Sequence, residues 1–100
     1  MTATTAAVFT VTATVGGRER VLRAFIERDK ADAHAERLDA TVRTRTFALG
    51  DRVDITWHGW PKSGVITAFA KTTATVRFFP RANEAAAERK FLLAALAEWN

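Results

Sequence analysis

Cysteine is absent from the one hundred residues, which removes disulfides, thiol catalysis and thiolate metal ligands together. Serine occurs once, at Ser63, and histidine twice, at His34 and His58. Ser63 follows Pro61-Lys62 with no nucleophile-elbow pattern around it, and two isolated histidines among scattered carboxylates do not compose a metal site. His34 lies beside an alanine stripe and reads as a packing residue. His58, four residues after Asp54, offers at best a carboxylate-imidazole pair with no nucleophile fixed nearby. No glycine loop for cradling phosphate is present. A hydrolase centred on His58 is the only catalytic reading left, and a non-enzymatic protein without cofactor or metal is expected.

Long apolar runs are missing too. The longest uncharged stretch, Met1 to Gly17, is threonine-rich and too polar to span a membrane. Met1 is followed by neither a basic start nor a leucine-rich segment, so a cytoplasmic product is expected. What is present fits one small domain over 1–100. Apolar residues make up 48 % of the chain, but twenty of them are alanine. The core must therefore be thin and built on a few large side chains, ten of them Phe or Trp.

Residues 7–15 alternate Val and Thr with Phe9, Val11, Ala13 and Val15, which is the period of a strand. Gly16-Gly17 tolerates the positive φ angles of a two-residue turn, and the residues from Arg18 to Ile26 supply a return strand. The rival is one helix from Arg18 to Ala40. Glu27-Arg28-Asp29-Lys30 would put charge all round that helix for a full turn, so the hairpin is preferred. Asp29 then reads as the N-cap of a shorter helix, with Ala31, Ala35 and Leu38 as its apolar stripe. Thr41 to Ala48 alternates again. Three further strands are read at Arg52 to Trp57, Val65 to Ala70 and Thr75 to Phe79, joined by a loop containing Gly59, Pro61 and Gly64 and by a tight turn at Lys71-Thr72-Thr73. Such close spacing requires antiparallel pairing. Residues 84–99 read either as a helix or as a closing strand at Phe91-Leu92-Leu93 ending in a helical turn at Ala94 to Ala97, and the balance favours the second.

From Phe47 onward, the phrases F-A-L-G-D-R-V-D-I-T-W, G-W-P-K-S-G-V-I and A-T-V-R-F-F resemble an SH3-like barrel of the KOW and Tudor-like kind across 47–97. The residues that carry the likeness are Gly50-Asp51, Val53, Ile55, Lys62, Gly64, Val76 and Phe78. The first forty residues resemble a β-β-α unit common in small bacterial and phage proteins, which implies no activity. The expected fold is α+β: a β-β-α unit (7–40) packed on a small curved antiparallel SH3-like barrel (41–99). In Tudor-like barrels, aromatics placed like Trp57 and Trp60 line a pocket for a cationic or peptide ligand. The plainer reading has Trp57 plugging the barrel end and Trp60 stapling the loop through Pro61.

Charge supplies the functional signal. The net charge is +4, and no acid occurs between Asp54 and Glu84, a window that holds Lys62, Lys71, Arg77 and Arg81 with Trp57, Trp60, Phe69, Phe78 and Phe79. Cations neutralise phosphates and ring faces stack on bases. Strand parity points Val53, Ile55, Ile66, Ala68, Val76 and Phe78 inward. It leaves Val65, Thr67 and Phe69 on an outer face with Thr75, Arg77 and Phe79, unless the β-β-α unit covers that face. A nucleic-acid-binding accessory protein is expected, for DNA or RNA, using Trp60, Lys62, Lys71, Arg77 and Phe79, with Arg43 and Arg45 as a second contact. The alternative is a protein-interaction module, an adaptor or inhibitor from a mobile element, whose apolar outer face meets a partner or a second copy of the chain.

Overall fold

The computed structural model describes residues 4–100, so the first three residues of the expected 1–100 span lie outside it. Alternating Val and Thr build β1 (Thr5–Val15), and Gly16 and Gly17, both at positive φ, turn it into β2 (Arg18–Phe25) with Val15 facing Arg18. This is the hairpin expected from the glycine pair. The helix α1 (Arg28–Leu38) follows, then β3 (Thr41–Ala48), β4 (Arg52–Trp57), β5 (Trp60–Phe69), β6 (Thr73–Phe78), β7 (Ala87–Leu92) and α2 (Leu93–Trp99). The C-terminal stretch is thus a strand followed by a short helix, close to the strand-plus-turn expectation.

The strands form two antiparallel sheets, ordered β2-β1-β3 and β4-β5-β6-β7. Among the described residues no hydrogen-bonded barrel closes, because β3 leaves the second group and pairs with β1 from Thr12 opposite Thr41 to Thr5 opposite Ala48. The expectation of a closed barrel over 41–99 is corrected accordingly. With β2 and β3 both antiparallel to β1, α1 is the crossover that parallel-running flanking strands require.

Strand β1 lies in the middle and is buried on both faces. Val8 and Val11 are each fully buried on opposite sides. Val11 packs with Ala31 and Ala35 of α1, ringed by Phe9, Phe25, Ala40 and Val42. Val8 joins Ala24 and Phe47 in the larger core, which continues through Val53, Ile55, Ile66, Val76 and Phe78 of the second sheet and Leu93 and Leu96 of α2. The buried hydroxyls of Thr10 and Thr12 donate to the Arg43 and Thr41 carbonyls of β3, which removes the cost of burying them.

The helix differs from expectation at both ends. Its N-cap is Glu27, not Asp29, and no side chain caps it, so Asp29 sits in the first turn. Asp39 adopts a left-handed conformation (φ 53°), and the Ala40 and Asp39 amides close back onto the Ala35 and Glu36 carbonyls. This Schellman-type stop ends the helix at Leu38, which is 51 % exposed and drops out of the stripe.

The second sheet keeps the expected inward set Val53, Ile55, Ile66, Val76 and Phe78, but the loop expected at 58–64 is largely strand. His58 and Gly59, both at positive φ, make a two-residue turn between Trp57 and Trp60. The pair flanking such a turn exchanges both hydrogen bonds and the next pair does not, so Pro61 opposite Thr56 forfeits no ladder bond. Gly64 is required by close approach: a Cβ there would stand 2.5 Å from Val76 Cγ1 and 2.8 Å from the Arg77 carbonyl oxygen.

These positions set a ranking for urea melts. Ile55→Ala and Val76→Ala should each cost about 2 kcal/mol or more through lost burial, and Gly64→Ala about 1 to 3 kcal/mol through overpacking. Arg77→Ala, on the opposite face of the same sheet, should cost less than about 0.5 kcal/mol. An Arg77 variant more damaging than the Ile55 variant would invert the assigned faces.

Candidate functional site

The acid-free window runs from the end of β4 through the β4–β5 turn, β5 and β6 into the connection after β6, and the turn organises its aromatics. Trp57 and Trp60 face each other across it. Trp57 points toward the core, its ring edge-on to Phe78 at 5.2 Å between centroids, with the Arg89 guanidinium 5.7 Å from its ring centroid. Trp60 is 70 % exposed. Trp57 is half-buried against the core of two open sheets, with no barrel end to plug, and Trp60 is left open to solvent.

Beside this pair lies a cleft of about 660 Å³ lined by Trp57, His58, Trp60, Lys62, Pro80, Arg81, Glu84 and Arg89. Lys62 enters it because it faces Ile55, on the inward side of β5. Arg89 enters it because β7 pairs Arg89 with Val76, which also gives it inward parity. The connection from β6 to β7 contributes Pro80, Arg81 and Glu84, the last two paired at 3.9 Å. Three cations against one carboxylate make this concavity suited to anions, and a cationic ligand would meet repulsion from Lys62, Arg81 and Arg89.

The residues expected to form the site do not all meet. Trp60 and Lys62 line the cleft, and Phe79, 61 % exposed, directly precedes its lining residue Pro80. Arg77 lies on the other face of the second sheet, opposite Val65 and Glu88. Lys71 occupies the β5–β6 turn, at the far end of β5 from Trp60. Arg43 and Arg45 belong to the other sheet and line a separate groove of about 200 Å³ with Glu19 and Asn100. There Arg43 donates to Glu19 through Nε and, at 3.0 Å, through an Nη atom. Arg45 lies 5.1 Å from the Phe47 ring centroid.

Phe69 is a correction. The register shifts between Ile66 and Ala68, and this β-bulge turns Phe69 to face Ala74 and pack on the core. A bulge inserts one residue and flips the parity of everything beyond it, so the outer face of the second sheet carries Arg77, Val65 and Lys90 without Phe69. The β-β-α unit does not cover that face, since its Val8 and Ala24, with Phe47 of β3, pack on the inward side instead.

The histidines also find places. His34 is half-buried with its ring tilted on Phe25 at 5.4 Å, as a packing residue would be. His58 sits edge-on to Trp57 at 4.4 Å, and the Asp54 carboxylate accepts from the Ser63 hydroxyl at 3.1 Å. Among the described residues, no three His, Asp or Glu side chains gather as a metal site would need, and no helix is long and apolar enough to cross a membrane.

Arg81, Arg89 and Glu84 were not named as site residues by sequence reasoning. Arg81 lay inside the acid-free window. Arg89 required the register of β7, which the helix-or-strand ambiguity of 84–99 concealed. No family model matches the chain, and no curated protein or solved structure shows a significant match to it.

Outside the cleft, hydrogen bonds from Arg43 hold the Glu19 carboxyl below its ordinary titration range, and Glu19 in turn raises Arg43. A depressed carboxyl contributes stability above its unfolded titration range and loses it as pH falls through the folded one. In a carboxyl-carbon NMR titration, Arg43→Gln should move the Glu19 midpoint upward. An unmoved Glu19 would show that the pair does not form in solution.

Proposed function

We propose that the chain is a non-enzymatic nucleic-acid-binding accessory protein, acting in the cytoplasm, whose principal contact is the cleft at the β4–β5 turn. One observation carries the reading: the exposed Trp60 stands in the same concavity as Lys62, Arg81 and Arg89. Cations there neutralise phosphates and release condensed counterions. A free indole face stacks on any base, because every base has a π-face. Phe79 adjoins the cleft, and Arg77, Lys71, Arg43 and Arg45, which lie outside it, are peripheral contacts for a longer strand. The meander of β4 to β7, with Gly50-Asp51 ahead of it and Gly64 within it, also supports the likeness to an SH3-like sheet of the KOW and Tudor-like kind, left open here by the departure of β3.

Fluorescence anisotropy with labelled DNA and RNA at low and moderate salt tests the reading. Trp60→Ala should weaken binding by about 1 to 3 kcal/mol with little change in salt dependence. Lys62→Ala combined with Arg89→Ala should make the slope of log affinity against log salt shallower by about one to two units. Absence of binding to single-stranded and duplex DNA and RNA at low salt would overturn the proposal. The protein-interaction reading would then take its place, with the exposed Phe79 and Leu92 as the side chains to replace in a test of self-association.

A further inference from the structure

The cleft holds one acid among its cations. Glu84 lies 3.9 Å from Arg81 Nη1 across an i, i+3 step, with both side chains exposed. Such a surface pair contributes little by itself, so both partners are free to re-form their hydrogen bonds around a ligand. In a site for a polyanion a carboxylate repels the ligand unless the ligand donates hydrogen bonds to it. The lining side chains of Lys62, Arg81, Arg89 and the two tryptophans carry donors only, and ionised Glu84 carries acceptors only. A ligand that answers both must present acceptors to arginine and donors to a carboxylate on adjoining atoms.

Among the standard bases, guanine does this most completely. Its O6 and N7 accept from arginine, and N1–H and the N2 amino group, next to O6 along the ring, form a matched pair of donors for a carboxylate. Adenine and cytosine offer the carboxylate one amino group beside an unprotonated ring nitrogen. The single N–H of uracil or thymine is flanked by two carbonyl oxygens. Resting on the nucleic-acid reading above, we infer that the cleft takes an unpaired guanine nucleotide. The ring stacks on Trp60, N1–H and the N2 amino group donate to Glu84, O6 accepts from Arg81, and Lys62 and Arg89 serve the phosphates. The edge read by Glu84 is the one used in base pairing, so the site selects single strands, whose unstacked bases expose that edge. A cleft of about 660 Å³ falls within the roughly 300 to 1,000 Å³ typical of sites that enclose small ligands.

The test is a set of anisotropy titrations with labelled oligothymidine and oligouridine in which one central base is replaced by guanine, hypoxanthine or adenine. Guanine should tighten binding by about tenfold over the all-pyrimidine strand, within the range expected of a bidentate base contact. Hypoxanthine, which lacks the N2 amino group, should lose most of that gain. This comparison uses the wild-type protein and is independent of how any variant folds. Glu84→Gln should bind the pyrimidine strands more tightly, since it removes the one acid from the cleft, and should lose the advantage of guanine over pyrimidine. Binding of every strand without a guanine advantage would overturn this inference and leave the nucleic-acid reading standing, whereas binding of none would remove that reading as well. A Glu84→Gln protein that kept the guanine preference would overturn the role given to Glu84.

Discussion

Two open sheets of three and four strands meet on their inward faces, and α2 holds them together. Its Leu93, Leu96 and Ala97 are buried in the shared core, and its C-terminal end reaches both sheets through hydrogen bonds. The Glu98 carboxylate accepts from the Ala24 amide of β2 at 3.2 Å. The Asn100 side chain accepts from the Asp54 amide of β4 at 2.8 Å and donates to the Asp54 carbonyl at 3.0 Å, as a neighbouring strand would. Strands β2 and β4 both lie at sheet edges, where unpaired backbone groups are otherwise left open. The helix thus supplies apolar area to the core and covers part of each exposed edge.

That tie is linked to the cleft by a row of aromatic contacts. Trp99 of α2 meets Phe91 of β7 at 6.0 Å, Phe91 meets Phe78 of β6 at 6.1 Å, and Phe78 meets Trp57 at 5.2 Å, each edge-on. Contacts of this geometry contribute about 0.5 to 1.5 kcal/mol each beyond their buried area. They fix the plane of Trp57, over which Arg89 is laid, and so give one wall of the cleft a rigid backing. Trp60 stands at the first position of β5, and Pro80 and Arg81 on the connection after β6. One side of the concavity is therefore preorganised by the core, and the other is built from side chains open to solvent.

Much of this was legible in the sequence where a local rule decided the outcome. The Val/Thr alternation and Gly16-Gly17 specify the first hairpin, and the period-two pattern from Val53 to Ile55 and from Val76 to Phe78 specifies the inward face. Trp60 and Lys62 could be named because an acid-free window is visible by inspection. The rest depended on long-range choices. Whether β3 joined β1 or the second sheet turned on two alternative partners of equal local merit. The turn at His58 was obscured because positive φ is uncommon for any residue other than glycine, and Pro61 suggested a loop where the ladder tolerates it. The bulge after Ile66 leaves no mark on the apolar pattern, yet it moves Phe69 from the outer face to the core. Arg89 reaches the cleft only through the pairing of β7 with β6, and Glu84, which marked the end of the acid-free window, becomes part of the site through the connection between those strands.

The central claim is that the cleft at the β4–β5 turn is the surface that meets nucleic acid. Amide and indole chemical-shift mapping during titration with a short single-stranded oligonucleotide at low salt tests it most directly. The account predicts that the largest shifts fall on the Trp60 and Trp57 indoles, Lys62, Arg81, Glu84 and Arg89, with smaller ones at Phe79. Shifts concentrated on Arg43, Arg45 and Glu19 in the groove of the first sheet, or no shifts at all, would contradict it.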